Sequence, residues 1–290
     1  MIGYGFMGKM HTFSYQSLPL IYDPMPAKIE LVGVCTATPE SGKKAMEQAG
    51  YRFETRNYRE LLEREDIHLI NICTPNHLHR DAVIDALDAG KHVYCDKPLA
   101  MNVQQAEEIW ERARTARTVH QMTFQYRFIP ALLRARQLIE SGLLGRVYQF
   151  RIAYLHSGYI DPNRPFTWRL DKSKGGGGAA CDLGSHVIDL TRYLLGEFES
   201  VHGTTEIFIK DRPLAAGSSE RAPVKVDDIF WLKARLVNGA VGTIEASRLS
   251  TGANDEVRIE IHGERGAIRF NSMDPNWLDV YDATLAGGDY

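Results

Sequence analysis

Neither an excess of charge of one sign nor a long apolar run is present in this 290-residue chain, and each absence removes a class of function. Its 34 Lys and Arg stand against 37 Asp and Glu, a net charge of -3 at pH 7, with the two signs interspersed. Nucleic acid and anionic membrane surfaces are recognised through basic surfaces, so neither is expected as a partner. No apolar stretch is long enough to cross a bilayer, no basic-then-apolar leader opens the sequence, and no repeat of fixed period runs through it. A cytoplasmic protein is expected. Cysteine is also scarce. The four present, Cys35, Cys73, Cys95 and Cys181, make no CxxC pair and no Cys/His cluster, so neither a disulfide framework nor a metal site is expected. Three of them close apolar runs, the place of a small buried residue at a strand end.

The sequence does contain a globular composition, 44% apolar and 24% charged, enough for one large domain or two ordinary ones. The first part alternates two periods. "IELVGVC" (29–35), "IHLINIC" (67–73), "KHVYC" (91–95) and "TVHQMTF" (118–124) read as buried strands, and helices lie between them, one ending on Gly50 and one on Gly90. Asn102 with Gln105 three residues later forms a capping pair for the helix that follows. Continuous apolar strands separated by helices imply a parallel sheet covered on both faces. After Phe124 the pattern changes to a helix over "ALLRARQLIESG" and then alternating strands, "VYQFRIAYL", "FWLKARLVN", "AVGTIEASRLS", "VRIEIHGERGAIRFN" and "WLDVYD". The fold class expected is α/β: a Rossmann domain with a parallel sheet over 1–123, then an α+β domain with a large, mainly antiparallel sheet over 124–290. The polar segment 210–225 is expected to be a surface loop.

Gly3, Gly5 and Gly8 in "GYGFMG" have dinucleotide-loop spacing, followed by a helix start and then by a strand ending at Cys35. Gly3 permits the tight turn, Gly5 the approach of backbone to a pyrophosphate and Gly8 close helix packing, while Phe6 and Met7 open a helix whose N–H groups face the anion. A strand of five or six residues should precede such a loop, yet only Met1 and Ile2 do. Thr36 stands near the position where an acidic residue usually reads a ribose 2'-OH, and Lys43 and Lys44 follow, so the residues leave NAD and NADP both open.

Three further stretches in register with the loop, "CTPNHLH" (73–79), "CDKPLA" (95–100) and "GGGGAACDLGSHVIDLTRYLLG" (175–196), identify a resemblance to the Gfo/Idh/MocA family of glucose-fructose oxidoreductases and inositol dehydrogenases. The resemblance covers nearly the whole chain. It implies nicotinamide and substrate between a Rossmann domain and an open-faced α/β domain, with Lys97, Asp182 and His186 as the catalytic set. Asp96 stands where the family has Glu, one methylene longer. Pro98 is implied to follow a cis bond. Thr74, Pro75, Asn76, His79, Asp96 and Lys97 are implied to lie along the cofactor, and Tyr126, Trp168 and Arg169 to approach the substrate, with His11 and Tyr154 as further candidates.

The chemistry also stands alone. Asp182 and His186 are four residues apart in a segment with helical apolar spacing, which is expected to put them on one face of one helix. A histidine suits removal of a hydroxyl proton as hydride leaves carbon, Lys97 suits the developing alkoxide charge, and Asp182 can fix the hydroxyl or the imidazole. The function expected is an NAD(P)-dependent dehydrogenase of a secondary hydroxyl in a sugar, glycoside, anhydrosugar or inositol. A non-catalytic dinucleotide sensor and an NAD-dependent glycosidase are the competing uses of the fold. Retention of Lys97, Asp182 and His186 argues against the sensor, and the "DLGSH" context resembles the dehydrogenase branch. Self-association as a dimer or tetramer through the open sheet is implied as well. In related chains the first strand begins earlier and the C-terminus runs on, so Met1 is expected to fall inside that strand and the chain to be incomplete at both ends, with stability the first property to suffer.

Overall fold

The computed structural model describes residues 1–285. They fall into two compact units that part after Thr123; the last five residues of the second expected domain lie outside the described residues.

The first unit runs α1 (Phe6–Ile21), β1 (Gly33–Cys35), α2 (Pro39–Ala49), β2 (Phe53–Thr55), α3 (Arg59–Leu62), β3 (Leu69–Ile72), α4 (His79–Asp88), β4 (His92–Cys95), α5 (Val103–Ala113) and β5 (His120–Met122). Local chemistry sets the helix ends. Thr38 Oγ1 accepts the Ser41 N–H, Pro39 occupies the first helical position, and Gly50 closes α2 at φ 77°. At α5 the Asn102 side chain accepts the Gln105 N–H at 2.9 Å, while Gln105 Oε1 accepts the Met101 N–H at 3.2 Å, the reciprocal cap that the spacing implied.

All sheet pairings here are parallel, β1 with β2 and β3 with β4 and β5. Ile2 joins the two pieces by bridging to Cys35 on one side and Ile72 on the other. Its N–H donates to Asn71 O at 2.7 Å and its carbonyl accepts the Cys73 N–H at 2.8 Å, and on the other flank the Gly3 N–H donates to Cys35 O at 2.8 Å. The order is therefore β2, β1, Ile2, β3, β4, β5, the full six-strand order of a doubly wound sheet with Ile2 in the place of its first, central strand. Ile2 is buried with Ile70, Ile72, Ala82, Val83, Ala86 and Ile109. One strand expectation changes, and one short strand, β2, has no counterpart among the expected strands. The expected strand over 29–35 shortens to Gly33–Cys35, the three residues that pair in register with Phe53–Thr55 of β2. The short β2 has too few residues to show an alternation.

The second unit runs α6 (Pro130–Glu140), β6 (Val147–Leu155), α7 (Lys172–Gly175), α8 (Ala179–Asp182), α9 (Gly184–Leu195), β7 (Phe198–Glu206), β8 (Asp211–Pro213), β9 (Arg221–Pro223), β10 (Ile229–Leu236), β11 (Val241–Ser247), β12 (Glu256–Gly263), β13 (Gly266–Asn271) and β14 (Asp279–Asp282). Seven strands form one sheet in the order β14-β13-β12-β6-β11-β10-β7. It is antiparallel except where β6 pairs with β11. Strand alternation sorts the two faces. Phe150, Ile152, Phe230, Ala234, Ile244, Ile259, Ile261 and Phe270 pack with Leu132, Val187, Leu190 and Leu194 of α6 and α9. The opposite face carries Arg151, Lys233, Glu245, Arg258 and Glu260, with Arg151 paired to Glu260.

The polar segment 210–225 is not a bare loop. Strands β8 and β9 pair within it, and Arg212 is completely buried, donating to Asp161 O and Tyr159 O at 2.6 Å each. Those two carbonyls draw the segment inward. Among the described residues no helix is long and apolar enough to cross a membrane.

Candidate active site

In the second unit the glycine run Gly175–Gly178 leads into α8, and a residue far along the chain explains it. The Asp227 carboxylate accepts the N–H groups of Gly178 at 2.9 Å and Ala180 at 2.7 Å. A Cβ on Gly178 would stand 1.9 Å from Asp227 O, so only glycine fits so close a crossing.

Asp182 ends α8 and His186 lies in the first turn of α9, with Leu183 between the helices. The single helix expected is therefore broken. The Ser185 hydroxyl donates to Asp182 O, and the His186 N–H bonds three residues back to Leu183 O at 3.1 Å. The break corrects the expected spacing of the pair along one axis while keeping both side chains on consecutive turns.

His186 is 3% exposed and stands among three aromatic rings, with centroids 5.9 Å from Phe124, 5.0 Å from Tyr126 and 5.8 Å from Tyr154. Those of Phe124 and Tyr126 meet the imidazole edge-on, an arrangement that fixes its plane. The Tyr126 hydroxyl donates to Tyr154 Oη at 2.9 Å, and Tyr154 donates to Asp255 Oδ1 at 3.2 Å. Burial, first among the causes, raises both phenol pKa values, so both hydroxyls stay protonated donors. Tyr126 is held by its neighbour: Arg127 Nε donates to the buried Asp189 of α9 at 2.7 Å.

Asp182 meets two guanidinium groups on the same oxygen, Arg248 Nη2 at 2.9 Å and Arg169 Nε at 3.9 Å. Arg169 also lies over the Trp168 ring, 4.4 Å from its centroid. The structure thus gathers Arg169 with Asp182, and Tyr126 and Tyr154 with His186.

In the first unit Gly3, Gly5, Phe6, Met7 and Gly8 form the turn into α1, and Gly3 has φ 89°. Thr74 and Pro75 follow β3, and buried Asn76 opens a single 3-10 turn. Lys97 follows β4 and is half-buried, its peptide bond to Pro98 is cis, and its N–H donates to Asp96 Oδ1 at 2.8 Å.

Two further candidates are buried histidines. His79 is fully buried, with Nδ1 2.9 Å from Pro98 O and Nε2 2.9 Å from Thr74 O. Its side chain stands between the Thr74 loop and the Pro98 loop, the two loops implied to lie along the cofactor. His11 is likewise buried, with Nδ1 3.1 Å from the Asn71 side-chain amide.

Burial lowers the His79 pKa, although its two backbone partners oppose the shift. The folded chain therefore binds this proton less readily than the unfolded chain does. The resulting stability is complete above the ordinary histidine value near 6.5 and falls as pH drops from there toward the folded-state value, by up to about 1.4 kcal/mol per pH unit. Urea unfolding at several pH values should show this slope in the natural sequence and not in His79→Gln.

Residues 1–124 match the oxidoreductase family with an NAD-binding Rossmann fold, and residues 132–269 match the GFO/IDH/MocA C-terminal domain. The chain belongs to the Gfo/Idh/MocA oxidoreductase family. Among its relatives, levoglucosan dehydrogenase of Pseudarthrobacter phenanthrenivorans is 39% identical over 282 residues, 93% of this chain and 72% of that protein. A solved levoglucosan dehydrogenase in complex with NADH and levoglucosan superposes with a TM-score of 0.95 at 39% identity, over 99% of this chain and 76% of the other. Myo-inositol 2-dehydrogenase of Thermotoga maritima is 26% identical over 92% of this chain and 73% of its own length.

The first turn of this oxidoreductase's α1 fits a dinucleotide. Gly5 supplies no side-chain cap and the turn contains no acidic residue, so no carboxylate of the turn itself competes for its N–H groups. Nothing stands within 4 Å of the point where a Cβ on Gly5 would project. At the end of β1 no carboxylate appears. Thr36 is buried and donates to Thr38 O at 2.9 Å, and Lys43 and Lys44 are exposed on α2.

Sequence reasoning missed Arg248, Asp227 and the Arg127–Asp189 pair. Each acts on a partner 47 to 66 residues away, and no local pattern marks such a pair.

Proposed function

We propose that this chain is an NAD-dependent dehydrogenase that oxidises a secondary hydroxyl of a sugar, anhydrosugar or cyclic polyol. The observation that carries the reading is the ring-enclosed imidazole of His186, one turn after a carboxylate held by two guanidinium groups, in a chain 39% identical to a levoglucosan dehydrogenase.

Bound NAD supplies the hydride acceptor. His186 takes the hydroxyl proton as the C–H bond breaks, and its aromatic neighbours keep the ring from turning away. Asp182 accepts a hydrogen bond from the substrate and fixes which hydroxyl meets the base. Lys97 offsets the negative charge that develops on the alcohol oxygen. Gly3, Gly5, Phe6, Met7 and Gly8 hold the pyrophosphate, with Thr36, Thr74, Pro75, Asn76 and Asp96 along the dinucleotide. Tyr126, Trp168 and Arg169 take the sugar, Trp168 by its ring face and Arg169 by hydrogen bonds. The reading includes self-association, as dimer or tetramer, through the uncovered charged face of the sheet.

NADH formation with levoglucosan, myo-inositol and a methyl glucoside as separate substrates tests the activity. Turnover with none of these or related polyols would defeat the reading. Thermal unfolding selects the cofactor. A hundredfold excess of NAD over its dissociation constant should add about 2.7 kcal/mol. NADP at the same concentration should add less, and the reverse order would assign NADP.

A further inference from the structure

The buried guanidinium of Arg248 is poorly explained by the needs of the fold. Arg248 directly follows β11, its N–H donates to Asp228 O at 2.9 Å, and its side chain is 1% exposed. The guanidinium carbon lies 4.9 Å from the centroid of the Tyr159 ring. Nη2 donates to Asp182 Oδ2 at 2.9 Å, while Nε and Nη1 are buried with no hydrogen-bond acceptor among the described residues.

A cation stripped of water and denied most of its hydrogen bonds is costly, and apolar side chains of similar volume often replace such groups without loss of stability. Packing over Tyr159 needs only a flat or flexible chain. What a guanidinium adds is one short, charge-assisted bond to a single oxygen of Asp182. Arg169 does not duplicate it, being 3.9 Å away with a side chain 40% exposed.

We propose that Arg248 is a positioning residue, which locks the Asp182 carboxylate in the orientation that aligns the substrate hydroxyl. This rests on the dehydrogenase reading above. Asp182 ends a helix of four residues, followed directly by a break, so the backbone around it is short of support. Anchoring Oδ2 sets the carboxylate plane and hence the direction of the other oxygen. A misalignment of about 1 Å at such a point is worth roughly a hundredfold in rate.

The test uses the full chain and four variants, Arg248→Met, Arg248→Lys, Asp182→Asn and the double variant R248M/D182N, each assayed for kcat, KM, NAD binding and melting temperature. R248M is expected to lose roughly a hundredfold in kcat, with NAD binding unchanged and no fall in melting temperature. D182N is expected to lose activity and also to melt lower, because it strands Arg248 as a buried, unpaired cation. The double variant should match D182N in kcat, since Arg248 acts only through that carboxylate. Should R248M not fold, R248K decides. A folded R248K with reduced kcat supports the proposal, and one with the natural kcat overturns it.

Natural turnover in R248M overturns the proposal, as does a double variant whose losses multiply. If D182N itself turns over normally, the assignment of Asp182 fails instead, so the two failures are told apart.

Discussion

Replacing His186 with alanine is expected to lower kcat by about 10² to 10⁴, the usual contribution of a positioned general base, while NADH binding stays unchanged. The imidazole is buried among Phe124, Tyr126 and Tyr154, so its loss also leaves a hole and a lower melting temperature. Kinetics separates the two effects. Imidazole added to the folded His186→Ala protein should restore part of the turnover if a missing base limits the rate, and none if the defect is only in packing. Natural turnover in this variant would sink the assignment.

The second large effect divides two glycines of one loop. A Cβ on Gly8 would lie 2.2 Å from Gly3 O, backbone against backbone, whereas one on Gly5 would meet nothing within 4 Å. Gly8→Ala is therefore expected to destabilise the first unit by roughly 3 kcal/mol or more, at the upper end of overpacking losses. Gly5→Ala should leave stability within about 0.5 kcal/mol of the natural value, as surface changes do. Yet it should weaken NAD binding by about tenfold or more, because the added methyl occupies the approach to the pyrophosphate. Denaturant melts and calorimetric titration of both variants read the two effects separately. Equal loss of stability in both would show that the loop is a structural turn only.

The strand and helix alternation of the first unit was legible because buried parallel strands are apolar throughout and their helices carry caps that act locally. Asn102 and Gln105 are three residues apart and meet as expected. In the second unit the alternation of β6 and β10 through β13 was legible for the same reason: one face is buried and the other is not. The break at Leu183 was not, since the apolar spacing of Leu183, Val187, Leu190 and Leu194 runs straight through it. Nor was the tie at the start of α8, where the Asp227 carboxylate accepts the N–H of Ala180, 47 residues away. The candidate side chains themselves were visible as motifs, but what holds them was not. Arg248 orients Asp182, Asp189 holds the arginine next to Tyr126, and His79 joins two loops through its ring. Each of these depends on a chain crossing that composition and period do not encode.

The one parallel pair in the large sheet also bears on how the molecule acquires its site in time. Strands β6 and β11 pair Gln149 with Val241, and everything from Trp168 to His186 lies on the crossover between them. The Arg248–Asp182 bond closes 66 residues of chain. By contrast the β12–β13 hairpin pairs His262 with Ala267. Contacts of long sequence separation form slowly, because the entropy of loop closure opposes them before any packing favours them. A refolding chain accordingly assembles its β12–β13 hairpin early and its catalytic crossover last, so recovery of turnover lags behind recovery of strand signal.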